Sequence, residues 1–215
     1  MQNDNAVAVW DIFVRVFHWS LVVAFAVAYV TSEEDNYWHI YAGYTVLGLI
    51  SLRLIWGFVG GRYARFSQFV RSPAAVFRYV SQLRQGSAKH YLGHNPLGGW
   101  MVLALLSTLF VVTISGLKVY AIEEGRGPLA QDSRMLSVIS AAHAEEEEEG
   151  KGKSAEAEDE AEEFWEEIHE IASNLMLLLI ALHVLGVVIS SKVNKEGLVK
   201  AMVTGRKPKL PNCED

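Results

Sequence analysis

The stretch IHEIASNLMLLLIALHVLGVVISS, residues 168–191, decides the fold. Between residues 175 and 185 it is apolar at every position except His183. About 20 apolar residues at roughly 1.5 Å each cross the bilayer hydrocarbon, whereas a much shorter run reads as a core helix. Inside lipid every backbone N–H and C=O must bond within its own segment, so such a run becomes a helix rather than an open strand. The stretch also carries His169 and His183. Fourteen residues at about 100° each return the two histidines to nearly one face, roughly 21 Å apart along the axis. One helix can thus serve two stacked sites.

Working outward, three more segments have the same character: about 12–31 (unbroken apolar from 21 to 30), about 38–59 with the single internal charge Arg53, and about 98–117. Pro96, just ahead of the third of these, suits a helix start. The expected fold is therefore all-α, an integral membrane four-helix bundle forming one domain over residues 1–215, and the mean hydropathy of +0.17 agrees. The single Cys213 allows no intrachain disulfide, and no Cys-x-x-Cys motif for metal or covalent haem is present. Residues 1–11 contain no positively charged region and no small-residue cleavage site, so the first span is expected to be a retained anchor.

Lys and Arg separate the two sides. Residues 60–95 hold Arg62, Arg65, Arg71, Arg78, Arg84 and Lys89; the tail adds Lys192, Lys195, Lys200, Arg206, Lys207 and Lys209. The short connection between the first two spans has only Glu33, Glu34 and Asp35. By the positive-inside rule both termini are expected in the cytoplasm, which an even number of spans permits. The expected periplasmic loop, about 118–167, holds sixteen acids against five bases. One reading makes it a solvated, partly disordered insertion with self-repelling charge. The other makes it a docking surface that raises the encounter rate with a basic protein such as a small c-type cytochrome. His143 stands at its edge as a metal-site candidate.

Of seven histidines, His18, His39, His169 and His183 lie in or at the ends of spans. Intramembrane ionisable residues are costly and mark a pathway or a bound group. A lone one can be a hydrogen-bonded packing residue, but these four pair by depth, His39 with His169 outside and His18 with His183 inside. Each pair can clamp one planar macrocycle, because imidazole nitrogen is a good axial ligand for haem iron. Gly43 and Gly186 would let a ring approach the backbone, or serve ordinary small-residue packing. Arg15, one turn from His18, is the first candidate to grip a haem propionate, with Arg53 and Arg62 behind it; all three read equally as snorkelling anchors. His90 and His94, in HYLGHN, have i, i+4 metal spacing, yet Gly93 and Pro96 argue against a helix there. They read as loop histidines near the headgroups, with proton transfer from one of them to a quinone site as the alternative. Trp10, Trp19, Tyr37, Trp38, Trp56, Trp100, Tyr120 and Trp165 read as an interfacial belt.

Trp10-Asp11, Arg15-x-x-His18-Trp19, His39-x-x-x-Gly43-Tyr44, Arg53-x-x-Trp56-Gly57, GHNPLGGW and the two histidines fourteen apart together resemble the bacterial di-haem cytochrome b561 family, which includes cytochrome b subunits of nickel-iron hydrogenases and related formate dehydrogenases. The resemblance implies a four-helix core, two bis-histidine haems b at the matching positions, and electron exchange with quinone. The long acidic loop departs from it.

The functional expectation is an electron carrier in the bacterial cytoplasmic (inner) membrane, multi-pass, linking the quinone pool to a periplasmic redox protein such as a c-type cytochrome. Two alternatives use the same histidines: a cytochrome b subunit anchoring a periplasmic hydrogenase or other dehydrogenase, or superoxide oxidation at the outer face. A different class, a proton- or metal-handling transporter, would lack a b-type absorption band. A homo-oligomer is compatible, membrane lipids surround the spans, and no nucleic-acid partner is expected.

Overall fold

The computed structural model describes residues 6–32, 37–87, 89–130, 149–193, 196–208 and 213–214. Its helices are α1 Ile12–Val30, α2 Tyr37–Val59, α3 Phe66–Phe69, α4 Pro73–Arg84, α5 Pro96–Glu123, α6 Glu149–Val193 and α7 Leu198–Thr204, with short strands β1 Ala6–Ala8, β2 His90–Tyr91, β3 Arg206–Pro208 and β4 Cys213–Glu214. Four helices are long and apolar enough to cross a membrane: Ile12–Val30, Tyr37–Val59, Pro96–Glu123 and Asp159–Val193. The fold is all-α with four spans, as the hydropathy implies.

Two bounds differ from expectation. Helix α5 continues past 117 to Glu123, and α6 begins at Glu149 rather than near 168. The sequence from 149 to 167 is dominated by Glu, Ala and Lys, whose helix propensity outweighs the charge density that suggested a loop. The connection is therefore shorter than 118–167. His143, the acids from 145 to 148, and Glu33, Glu34 and Asp35 lie outside the described residues.

The chain divides into two compact units, one comprising Met1–Leu106 and Leu178–Asp215, the other Ser107–Leu177, and α5 and α6 contribute to both. In the first, α1 packs along α2. Ala42, Val46, Ile50, Arg53 and Gly57 form the buried stripe of α2, and Val14, Phe17 and Ala24 are buried on α1. Small residues on both stripes let the backbones come close. Val16, Val23, Val30, Ile55 and Phe58 are exposed, the faces that lipid would cover. Asp11 ties the two helices at one end: Oδ1 caps α1 by accepting from Val14 N (2.8 Å), and Oδ2 accepts from Trp56 Nε1 (3.0 Å).

The terminal segments meet at that end. Strand β1 pairs antiparallel with β3, and the amides of Val9 and Trp10 both donate to Gly205 O. Gly205 ends α7 at φ +79°, and a Cβ there would sit 2.7 Å from Trp10 O, so only glycine serves. Strand β2 pairs in parallel with β4. Buried Lys207 and Glu196 form an ion pair (3.0 Å), and Lys207 Nζ also donates to Tyr91 O (3.4 Å). The two basic segments of the sequence thus assemble together.

The second unit is built on the later part of α5 and the earlier part of α6. Leu109, Ser115, Ala172 and Met176 are buried within it. The hydroxyls of Thr113 and Ser115 donate back to carbonyls of their own helix, so neither is an unmet polar group.

Candidate haem-binding site

His39 sits in the first turn of α2, with Nδ1 2.8 Å from Ala28 O near the end of α1. His169, on α6 in the second unit, places Nδ1 3.0 Å from Val112 O and 3.2 Å from Ser115 Oγ. A carbonyl oxygen only accepts, so Nδ1–H is the donor in each contact, and in the neutral ring the lone pair is then on Nε2. That tautomer is the one a metal needs, and the backbone bond also fixes the ring plane. Gly116 makes room for His169: a Cβ at 116 would lie 2.9 Å from the ring Cε1.

His18 and His183 lie in the first unit, within electrostatic reach of one another. His18 packs edge-on against Trp19 (5.0 Å), and its buried Nδ1 has no hydrogen-bond partner among the described residues. Open space surrounds the positions where Gly43 and Gly186 would carry a Cβ. Arg15 donates through Nη2 to Val203 O at the end of α7, while its buried Nε is unpartnered. The two-pronged grip expected of Arg15 is thus half committed to the protein. Arg53 is buried, donates through Nη2 to Ala64 O (3.0 Å) and lies 5.1 Å from the Phe66 ring centre, with Nη1 unpartnered. Arg62 is exposed and rests 5.7 Å from the Tyr63 ring centre.

His90 and His94 are not on a helix. His90 starts β2, with Nδ1 3.7 Å from Glu196 Oε1. His94 is inserted between Trp10 (4.6 Å) and Phe69 (4.8 Å), and its Nδ1 is buried and unpartnered. Burial, then the charges of Arg53, Lys207 and His183, lowers the His94 imidazole to about 3. It is a neutral, packed residue of the loop between β2 and α5, a loop histidine as expected. The sequence marked Asp11 as part of the family pattern without giving it a role, and Ser115 and Gly116 went unmarked. The last two were visible as small and polar breaks in an apolar run, but the histidine they meet lies 54 and 53 positions away.

These residues suit a b-type haem. Among the described residues the unpartnered buried polar atoms are Arg15 Nε, His18 Nδ1, Arg53 Nη1, His90 Nδ1 and His94 Nδ1, all in the first unit. Orphaned buried donors are rare because they are costly, and a ligand bearing carboxylates answers guanidinium N–H groups directly. The imidazoles on the spans supply neutral nitrogen donors for iron.

No curated protein and no solved structure matches the chain significantly. The family model described as prokaryotic cytochrome b561 matches residues 9–205, a range that contains every element from α1 to α7 and all four span histidines. The chain belongs to the prokaryotic cytochrome b561 family: it is a multi-pass, haem-binding, b-type cytochrome of a bacterial membrane, built for electron transport.

Proposed function

We propose that this cytochrome carries electrons across the inner membrane between the quinone pool and a periplasmic redox protein such as a small c-type cytochrome. Residues 1–215 act as one domain holding two bis-histidine haems b, with His18 and His183 as the cytoplasmic pair and His39 and His169 as the periplasmic pair. The single observation that carries this reading is the backbone tether on Nδ1 of both His39 and His169, which favours the tautomer whose Nε2 is competent to ligate a metal.

When bound, haem b would supply a one-electron iron couple, and the imidazoles of His18, His183, His39 and His169 would hold it for electron exchange. The chain does the rest. His39 and His169 present Nε2 in a fixed orientation. Arg15 Nε and Arg53 Nη1 offer charge-assisted bonds to carboxylates on the cytoplasmic side. The outer pairing rests on depth along the spans, and the orientation on the assembly of both basic segments at one end.

The test is a vesicle assay with purified, haem-loaded protein, quinol supplied to the membrane and a soluble c-type cytochrome outside. Reduction of the external cytochrome is expected with the unaltered chain and lost in both His169→Ala and His183→Ala. Undiminished reduction in either variant would overturn the relay.

A further inference from the structure

Beside the start of α5 the inner-loop helix α4 leaves an open groove of about 560 Å³, within the range of small-molecule sites, about 300–1,000 Å³. We propose that it binds one anionic phospholipid of the surrounding membrane, with an acyl chain along Val76 and Val80 and the phosphate at Arg84.

The pattern along α4 supports this occupant. Val76, Val80 and Arg84 recur at i, i+4 and i+8 and form one stripe that passes from apolar to cationic over about 12 Å. Phe77 flanks the apolar part and is 75% exposed, an unusual cost in water but not beside a hydrocarbon surface. Ser81 and Gln85 flank the cationic part and offer further donors. Leu97, the second residue of the α5 span, also lines the groove and is 44% exposed, so the groove adjoins the start of a membrane-crossing segment. A phospholipid presents the same order, chain then phosphate.

The groove is held in shape from behind. Tyr79, on the opposite face of α4, is buried with its ring 5.8 Å from Tyr91. Trp100 Nε1 donates to Arg71 O (2.9 Å), and Gly99 lies against Phe69 O so closely that a side chain would not fit. Ser72 Oγ caps the helix, and Pro73 opens it.

Charge selects the lipid. Residues 60–95 contain six Lys or Arg and no Asp or Glu. Among the described residues no carboxylate pairs with Arg78 or Arg84. Of the acids that reach this segment, buried Glu196 is paired with Lys207 and does not line the groove, and Glu214 sits on β4 beside Tyr91. An anionic phosphate therefore meets an uncompensated guanidinium, whereas a zwitterionic headgroup brings its own cation to the same place.

The experiment is native mass spectrometry of the haem-loaded protein released from mixed micelles of dioleoyl-phosphatidylglycerol and dioleoyl-phosphatidylcholine. Retention of one phosphatidylglycerol in preference to phosphatidylcholine is expected. Arg84→Gln, at an exposed position, should lower that retention about tenfold, and Val80→Asp should abolish it while an intact haem spectrum reports folding. Equal retention of the two lipids by the unaltered chain, or unchanged selectivity in Arg84→Gln, would overturn the proposal. Displacement of the lipid by millimolar inorganic phosphate alone would also overturn it, since the acyl chain would then contribute nothing.

Discussion

His39 and His169 are held by the backbone, whereas His18 is not. The first two have Nδ1 on the carbonyls of Ala28 and Val112, so ring orientation and tautomer are set by the protein. His18 has a buried Nδ1 with no hydrogen-bond partner among the described residues, and the first unit also holds Arg15 and Arg53 atoms in the same condition. On the proposed haem assignment, the difference is one between two ways of building a cofactor site in a membrane. One fixes the ligand in advance; the other leaves polar atoms to be satisfied by the ligand's own carboxylates.

The largest expected effect is on haem content. His169→Ala and His183→Ala should each remove about half of the b-type absorption, and the remaining half should differ in spectrum between them. Identical residual spectra would mean that the two histidines serve one haem.

Next in size is the buried pair of Lys207 and Glu196, with each side chain about 5–6% exposed. Lys207→Met leaves a buried carboxylate without its cation and should destabilise the protein by about 3–5 kcal/mol in thermal unfolding. Adding Glu196→Met should recover much of that loss. No recovery would show that the Lys207 contact with Tyr91 O, rather than the charge pair, holds the tail.

Gly116→Ala and Arg53→Met separate the two kinds of site. The added methyl would press on His169 Cε1 and cost about 1–3 kcal/mol, with the altered haem being the one lost in His169→Ala. Removing the Arg53 guanidinium should lower the midpoint potential of the other haem, because a nearby cation favours the reduced, more negative form. Potentiometric titration reads both. Each variant affecting both haems equally would erase the distinction.

The smallest effect concerns pH. The His94 imidazole falls from the ordinary 6.5 to about 3 in the folded chain. Between those values the unfolded chain binds the proton and the folded chain does not, so this group's contribution is present above about 6.5 and is lost as pH falls toward 3. Melting temperature should decline over that window, and His94→Phe should flatten the decline. An unchanged slope would mean that His94 is protonated in place.

The four spans were legible because lipid imposes a length and a composition that no local contact can override. The helix from 149 to 167 was legible in its Ala and Glu content, but the same acids also describe a solvated loop, and composition alone does not separate the two. The Nδ1 tethers were not legible: every residue has a carbonyl, so an acceptor such as Ala28 O or Val112 O leaves no mark in side-chain pattern. Nor was the assembly of residues 6–10 with 205–208, because strands of three residues carry no periodicity. Arg53 and Trp56 stand out in the sequence as family marks, and also as a propionate candidate and a belt aromatic respectively. Their work, on Ala64 O and Asp11, emerges only when the loop is folded back.

The most direct test of the account is the haem-to-protein ratio of the purified chain, measured by alkaline pyridine extraction alongside low-temperature electron paramagnetic resonance. Two haems b per chain, both low-spin with bis-imidazole signatures, are predicted. One haem per chain, or a high-spin five-coordinate signal in the unaltered protein, would contradict it.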